Sequence, residues 1–281
     1  MNSSDPLATG ARRECFDAIM MAGSINKIPL FPGCAPGPKA LIKLHGRPLI
    51  DYVLDALRDS AGVSRTLVIG HPLVLEHVRG REGVEGVTAG GSLVDNAWRG
   101  LAAGKTERLL YCNPDQPLLT GVMVDDFLNR AAPVDADLVS SWVPLAALQQ
   151  DCPEGDHKFT PFGDGRFAHG NLFLVRRKFP EGARVRRRMD ALYQARKKPL
   201  QFAWALGPRL FLGYVSARLR GKAPTLEQTL DTAGKTFGFH LAGVLCPYPE
   251  IVLDLDEPED YTAADRQLSA MRARPQAPAP T

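Results

Sequence analysis

Two hydrophobic rhythms alternate along the chain. Short apolar runs at 17–22, 65–70, 108–113 and 136–142 have the length of buried strands. Between them, apolar positions recur at helical spacing in 49–60, after Ser92 through Leu101, and in 121–131, with a short helical stretch after Gly70. Strand and helix in turn predict an α/β protein with a mainly parallel, doubly wound sheet. Functional groups in such sheets gather beyond the carboxyl ends of the strands, so the residues just after each run carry the chemistry.

The later chain departs from this rhythm. Residues 159–177 read as a hairpin, strand–turn–strand, around Gly163-Asp164-Gly165. Residues 180–245 read as a helical insertion, with an apolar helical pattern over 202–219. In 249–256 the alternation predicts a strand that puts Asp254 and Asp256 on one side, because side chains repeat every second residue. A helix is then expected from Glu257, whose acidic neighbours suit its positive end. The expected organisation is one domain over 13–270, with polar tails at 1–12 and 271–281.

Composition narrows the class. A chain of 281 residues, 44% hydrophobic and 23% charged, has the makeup of a folded globular protein. Its net charge of +3 gives no argument for a nucleic-acid partner. The five cysteines, odd in number and without a C-x-x-C pair, argue for a reducing compartment and against a zinc ribbon. No apolar run approaches a membrane span and the first residues lack a signal-peptide core, so a cytoplasmic protein is expected.

The stretch from Asp17 to Asp51 holds the first candidate chemistry. The run ending at Ala22-Gly23 empties into a loop where backbone amides can meet an anion, and Lys39 beyond it adds a mobile point charge. Gly90-Gly91-Ser92 opens a helix; it is either a turn with a serine N-cap or a place where a ligand nears the backbone, and the two are compatible. Asp115, past the strand ending near Asn113, is a lone carboxylate at a strand end, suited to a well-hydrated divalent cation. The near-match GLAAGKT at 100–106 is one residue short of a Walker A motif and follows a helix, which excludes a P-loop.

Four of these pieces together resemble the nucleotidyltransferases of glycosyltransferase-A-like, three-layer Rossmannoid fold, the MobA-like NTP transferases among them. The frame AG, loop, PKALIKLHGRPLIDYVLDAL is similar to their LAAGxGxRM, gap, PKxL. NPDQPLLT is similar to NxDxPLLT, HGNLFLV to GGNxFLV, and LDLDEPED to iDxDxPED. The resemblance departs at Ser24-Ile25-Asn26-Lys27, where the second glycine and the triphosphate-contacting arginine are missing; Lys27 stands nearest to that arginine's place but lacks its planar fork.

The resemblance implies transfer of a nucleoside monophosphate from a nucleoside triphosphate to a small phosphorylated acceptor, with release of pyrophosphate. It implies a nucleotide site of Ala22, Gly23, Ser24, Lys27, Lys39, Gly90, Gly91 and Ser92, and catalytic roles for Lys39 and Asp115. It further implies Mg2+ on Asp115 and Asp254 and acceptor contacts from Gly170 and Asn171; Asp256 is read as a helix cap. Two other classes stay open at this point: a nucleotide or nucleotide-sugar binder weakened by the lost arginine, and a metal-dependent glycosyltransferase. The cations clustered between Arg176 and Lys198 are either a solvated face or a platform for a phosphorylated or lipid-linked acceptor at a membrane surface.

Overall fold

The structure is a computed structural model that describes residues 14–27, 29–147, 159–179, 182–195, 212 and 223–273. Strand β1 (Phe16–Ala22) is followed by α1 (Leu49–Asp59), β2 (Val63–Gly70), α2 (Pro72–Val78) and β3 (Val84–Thr88). Then come α3 (Leu93–Ala103), β4 (Arg108–Cys112), α4 (Gly121–Ala131) and β5 (Leu138–Pro144). The hairpin of β6 (Thr160–Phe162) and β7 (Gly165–Arg176) follows, then α5 (Ala183–Ala195), α6 (Leu226–Phe237), β8 (Leu241–Leu245) and α7 (Pro258–Ala273).

These strands form one eight-stranded sheet in the order β8-β5-β7-β4-β1-β2-β3, with β6 paired to β7. β1 pairs in parallel with β2 and β4, and β2 with β3. β7 runs antiparallel between β4 and β5, while β8 is parallel to β5. The sheet is therefore mainly parallel with one reversed strand near its centre, and the carboxyl ends of β1, β2, β3 and β4 share one mouth.

Strand side chains alternate faces, and the core splits accordingly. Ala18, Met20 and Ala22 of β1 pack with α1 and α4 in one layer, while Ile19 and Met21 pack with α3 in the other. Phe127 of α4 is fully buried in the first layer; truncation of such a side chain to alanine costs about 3–5 kcal/mol. This is the three-layer, mainly parallel α/β arrangement expected from the sequence.

The helices begin where side chains satisfy their bare N–H groups. The Ser92 hydroxyl accepts from the Asp95 amide at the start of α3, Thr120 does the same for Met123 at α4, and Thr225 with Gln228 forms a capping box at α6. The GLAAGKT near-match forms the end of α3 and the turn after it. There the Lys105 amide donates to Asp17 Oδ2 at 2.7 Å, and Thr106 Oγ1 accepts from the Asp17 amide at 3.0 Å, at the end of the sheet opposite the mouth.

Two expectations need correction. Residues 249–256 are not a strand: Pro249–Ile251 is a 3-10 turn and 253–256 carry no regular structure. Their apolar residues are buried all the same, Ile251 and Val252 in one cluster and Leu253 and Leu255 in another, because the segment threads between layers instead of lying on a sheet face. Within the stretch read as a helical insertion, β8 adds a strand to the sheet edge; the apolar helical pattern expected over 202–219 lies, apart from Leu212, outside the described residues.

Candidate active site

The site begins where β1 stops. Position 23 has no room for a side chain: a Cβ there would stand 2.9 Å from Ala89 Cβ and 2.9 Å from Asn96 Nδ2, which forces glycine where the chain leaves the sheet. The loop beyond is closed by a small antiparallel ribbon, Ile25–Asn26 against Gly37–Pro38. The Lys39 amide donates to the Ser24 carbonyl at 3.0 Å, so Lys39, distant in sequence, starts its 3-10 turn beside the end of β1. The loop is also tied down apolarly, with Leu30 1% exposed and the Phe31 ring tilted against Tyr261 of α7, 4.8 Å between centroids.

Four charged side chains converge at this mouth. Lys39 Nζ pairs with Asp115 Oδ2 and donates to Asp256 Oδ1 at 2.6 Å. One carboxylate oxygen each from Asp115, Asp254 and Asp256 lies within 4.8 Å of the others. Asp115 is 5% exposed, and its second oxygen, Oδ1, is buried with no hydrogen-bond partner. The Leu255 amide donates to the Asp115 carbonyl at 3.3 Å, which ties the irregular 253–256 segment to the strand end that carries Asp115. Burial opposes the charge on Lys39, but the Asp115 and Asp256 carboxylates outweigh it and hold the ammonium above the usual lysine range. Asp256, expected to cap α7, pairs with Lys39 instead; the Asp256 and Glu257 amides both donate to Asp260 Oδ2.

Beside this cluster, β7 breaks its pairing with β5. His169 pairs with Trp142 and Phe173 with Ser140, so β7 carries extra residues through a bulge at 170–172. The Ser141 hydroxyl fills it, accepting from the Leu172 amide at 3.2 Å and donating to the Leu172 carbonyl at 3.0 Å. A Cβ on Gly170 would lie 2.3 Å from Ser141 Oγ, so internal packing accounts for that glycine. The bulge presents Asn171 to Asn113 at 3.4 Å, two residues before Asp115. Asn171 Nδ2 also donates to the Val252 carbonyl at 3.4 Å.

On the other side of Gly23 lies the glycine pair. The N-cap reading of Ser92 holds here. Ser92 caps α3, and the Gly90 amide donates to Asn96 Oδ1 at 2.6 Å. The space a Gly90 side chain would take is filled by the Asp95–Arg99 ion pair, with Asp95 Oδ2 at 1.7 Å and Arg99 Nε at 2.7 Å from the missing Cβ. Gly91 faces open space. Lys27 stands exposed past the ribbon, with no ion pair among the described residues.

Asn96 and Asn113 escaped the sequence reading. Asn96 is 7% exposed and lies one turn before Gly100, which packs on Ile19, so it occupies the sheet-facing stripe of α3. A lone polar residue on an apolar stripe was the available signal. Members of the basic cluster are used internally: Arg176 pairs with Asp135 at 2.7 Å, the Arg186 guanidinium lies 5.0 Å over the Trp98 ring, and Arg188 donates to the Thr236 carbonyl. Among the described residues, no helix is long and apolar enough to cross a membrane.

A three-layer, mainly parallel sheet with a strand-end cluster of acids, a lysine and exposed glycine backbone is the layout of a nucleotidyltransferase. Residues 33–180 match the family model described as MobA-like NTP transferase domain, and the chain belongs to that family. It is 28% identical over 113 residues to the bifunctional protein GlmU of Nitratidesulfovibrio vulgaris, covering 38% of this chain and 25% of that one. It is 34% identical over 95 residues to the 2-C-methyl-D-erythritol 4-phosphate cytidylyltransferase of Cereibacter sphaeroides, covering 31% of this chain and 42% of the other. The matches thus span between a quarter and about two fifths of those relatives. Over a much larger share, the structure is similar to that of a hypothetical transferase from Thermus thermophilus. That comparison has a TM-score of 0.71 and 26% identity, and covers 88% of this chain and 99% of that one.

Proposed function

We propose that this protein transfers a nucleoside monophosphate from a nucleoside triphosphate to a small phosphorylated acceptor and releases pyrophosphate. The observation that carries the reading is the Lys39–Asp115–Asp256 cluster, with Asp254 beside it, at the carboxyl ends of β1 and β4. The Cereibacter sphaeroides relative is a 2-C-methyl-D-erythritol 4-phosphate cytidylyltransferase, which supports a phosphorylated acceptor.

The residues present fit Mg2+. Hard divalent cations take oxygen ligands, and the buried, unpartnered Asp115 Oδ1 is an acceptor that the protein itself leaves unsatisfied. Asp115 and Asp254 would hold the ion, with Asp256 in reach. When bound it supplies charge neutralisation and polarisation of the triphosphate.

The chain's own groups do the remaining work. An acceptor phosphate oxygen forms a bond to the α-phosphorus while the bridge to the β-phosphate breaks and its electron pair leaves with pyrophosphate. Phosphate oxygens are already deprotonated at neutral pH, so no side chain has to act as general base. What the reaction requires is in-line positioning and neutralisation of charge. Lys39, close to both the ribbon and the acids, serves as the phosphate clamp. Gly91 leaves backbone open to the nucleotide, Gly23 lets the end of β1 close against Ala89 and Asn96, and Asn96 orders that side by locking the Gly90 amide. Asn171 and Asn113 face the acceptor side.

A catalytically weakened nucleotide binder is favoured by one observation: Lys27, not an arginine, sits in the loop, exposed. One experiment tests both readings. The purified protein is incubated with each of the four triphosphates, Mg2+ and a panel of acceptor phosphates, and pyrophosphate is measured. Turnover with one pair supports the transferase; a triphosphate that raises the melting temperature without turnover establishes the binder.

A further inference from the structure

The cluster contains an arrangement that the reaction alone does not require. Lys39 Nζ lies between Asp115 Oδ2 and Asp256 Oδ1, and these carboxylates belong to the set whose oxygens gather within 4.8 Å. The amine is not placed there by chance. Its backbone amide is fixed to the Ser24 carbonyl at 3.0 Å, its residue opens a 3-10 turn, and its side chain is only 11% exposed. A divalent ion held by Asp115 and Asp254 would sit about 2.0–2.6 Å from their oxygens, within a cluster whose three carboxylates gather inside 4.8 Å. The ammonium already lies against Asp115 and Asp256 in that cluster, and two cations there repel. Ammonium and metal therefore compete for the same carboxylates.

We propose that Lys39 holds the place of the divalent cation in the nucleotide-free protein and yields it when a triphosphate offers the amine other anionic partners. The proposal rests on the cation site put forward above and deepens it. The four-carbon stem of lysine lets Nζ swing from carboxylate to phosphate while its backbone stays tied to Ser24. Once the amine turns to phosphate, Asp115 and Asp254 can take the metal, with Asp256 in reach. Polyphosphate and metal then bind with positive coupling, and by linkage each raises the affinity of the other by the same factor. The nucleotide-free site stays closed to cations, while Asp115 keeps a partner for one of its buried oxygens.

The test measures Mn2+ binding from the resonance signal of the free ion, without turnover. In nucleotide-free protein, Lys39→Met is expected to bind Mn2+ at least about 10-fold more tightly than wild type, a difference of about 1.4 kcal/mol. Lys39→Arg, which keeps the positive charge, is expected to bind as weakly as wild type. Equal or weaker Mn2+ affinity in Lys39→Met overturns the proposal. Should the variant be poorly folded without metal, Mn2+ must raise its melting temperature by more than it does for wild type; failure to do so also overturns it. A separate arm adds α,β-methylene triphosphates to wild type, corrected for the analogue's own Mn2+ binding. Absence of protein-bound Mn2+ in that arm, with Asp115→Asn as reference, sinks the cation site itself. Tight Mn2+ binding by nucleotide-free wild type sinks only the placeholder.

Discussion

Asp115→Asn should separate activity from stability, and the geometry says why. The substitution keeps the shape of the side chain and removes one negative charge from a cluster of three carboxylates and one ammonium. One attraction is lost, to Lys39, which retains Asp256. At an effective dielectric constant near 20, an ion pair at contact distance is worth roughly 4–6 kcal/mol. Two repulsions vanish with it, toward Asp254 and Asp256. At the 4.8 Å limit of their separation each amounts to about 3.5 kcal/mol on the same scale. The repulsions relieved exceed the attraction lost by about 1–3 kcal/mol, so the melting temperature should hold or rise, by at most about 12 °C, since 1 kcal/mol corresponds to about 2–4 °C in a domain of this size. Turnover is another matter. Asp115 supplies the buried, unpartnered oxygen at the proposed reaction centre, and removing one such electrostatic contribution costs on the order of 100- to 1000-fold in rate. The assay is pyrophosphate release with the best triphosphate and acceptor pair, alongside thermal melting of both proteins. A variant within tenfold of wild-type rate refutes the catalytic assignment; a fall of more than about 8 °C in melting temperature refutes the electrostatic reasoning.

Gly23→Ala should destabilise the fold, because its Cβ would press on Ala89 Cβ and on an Asn96 side chain held by the Gly90 amide. The expected loss is about 1–3 kcal/mol, read from urea unfolding; an unchanged midpoint removes the close-packing argument. For Asp17, burial alone would raise its pKa, but the hydrogen bonds and charge of Arg65 with the Lys105 amide and Ser64 outweigh it and bring the carboxyl below its ordinary 3.8. Its stabilisation is therefore full above that value and is lost as pH falls through the lower folded-state pKa. Asp17→Asn should be less stable than wild type at pH 7 and lose less on acidification below about pH 4, and parallel pH–stability curves would contradict this. Burial pushes the thiols of Cys112 and Cys246 up to about 12, whereas Cys15 is exposed and Cys34 partly so. Iodoacetamide followed by peptide mapping should modify Cys15 and Cys34 well before the other two; early labelling of Cys112 would place it wrongly in the core.

Much of the sheet was legible because its strands are buried on both faces and stand out as unbroken apolar runs. The helices α1 and α4 were equally plain, since each packs one stripe on the sheet. The 249–256 segment misled for a related reason. Alternation of buried and polar residues reports burial, not hydrogen-bonded pairing, and Leu253 and Leu255 are buried between helix and loop with no strand alongside. Asp254 and Asp256 nonetheless reach the cluster, because an extended chain aims alternate side chains alike whether or not it joins a sheet. The partner of Lys39 could not be found locally at all: Asp256 lies 217 residues away in sequence, and only the threading of 253–256 past the Asp115 carbonyl brings it near. Asn96 marks the opposite failure. It was visible as a polar interruption in an apolar stripe, but its meaning depends on Gly90 and Gly23 meeting across the end of the sheet, a contact between three separate stretches of chain. Local pattern thus shows which residues are buried, and topology decides which of them meet. In this protein the topology sets a lysine among carboxylates, so the chemistry of the mouth depends on which cation those acids hold at each stage of binding.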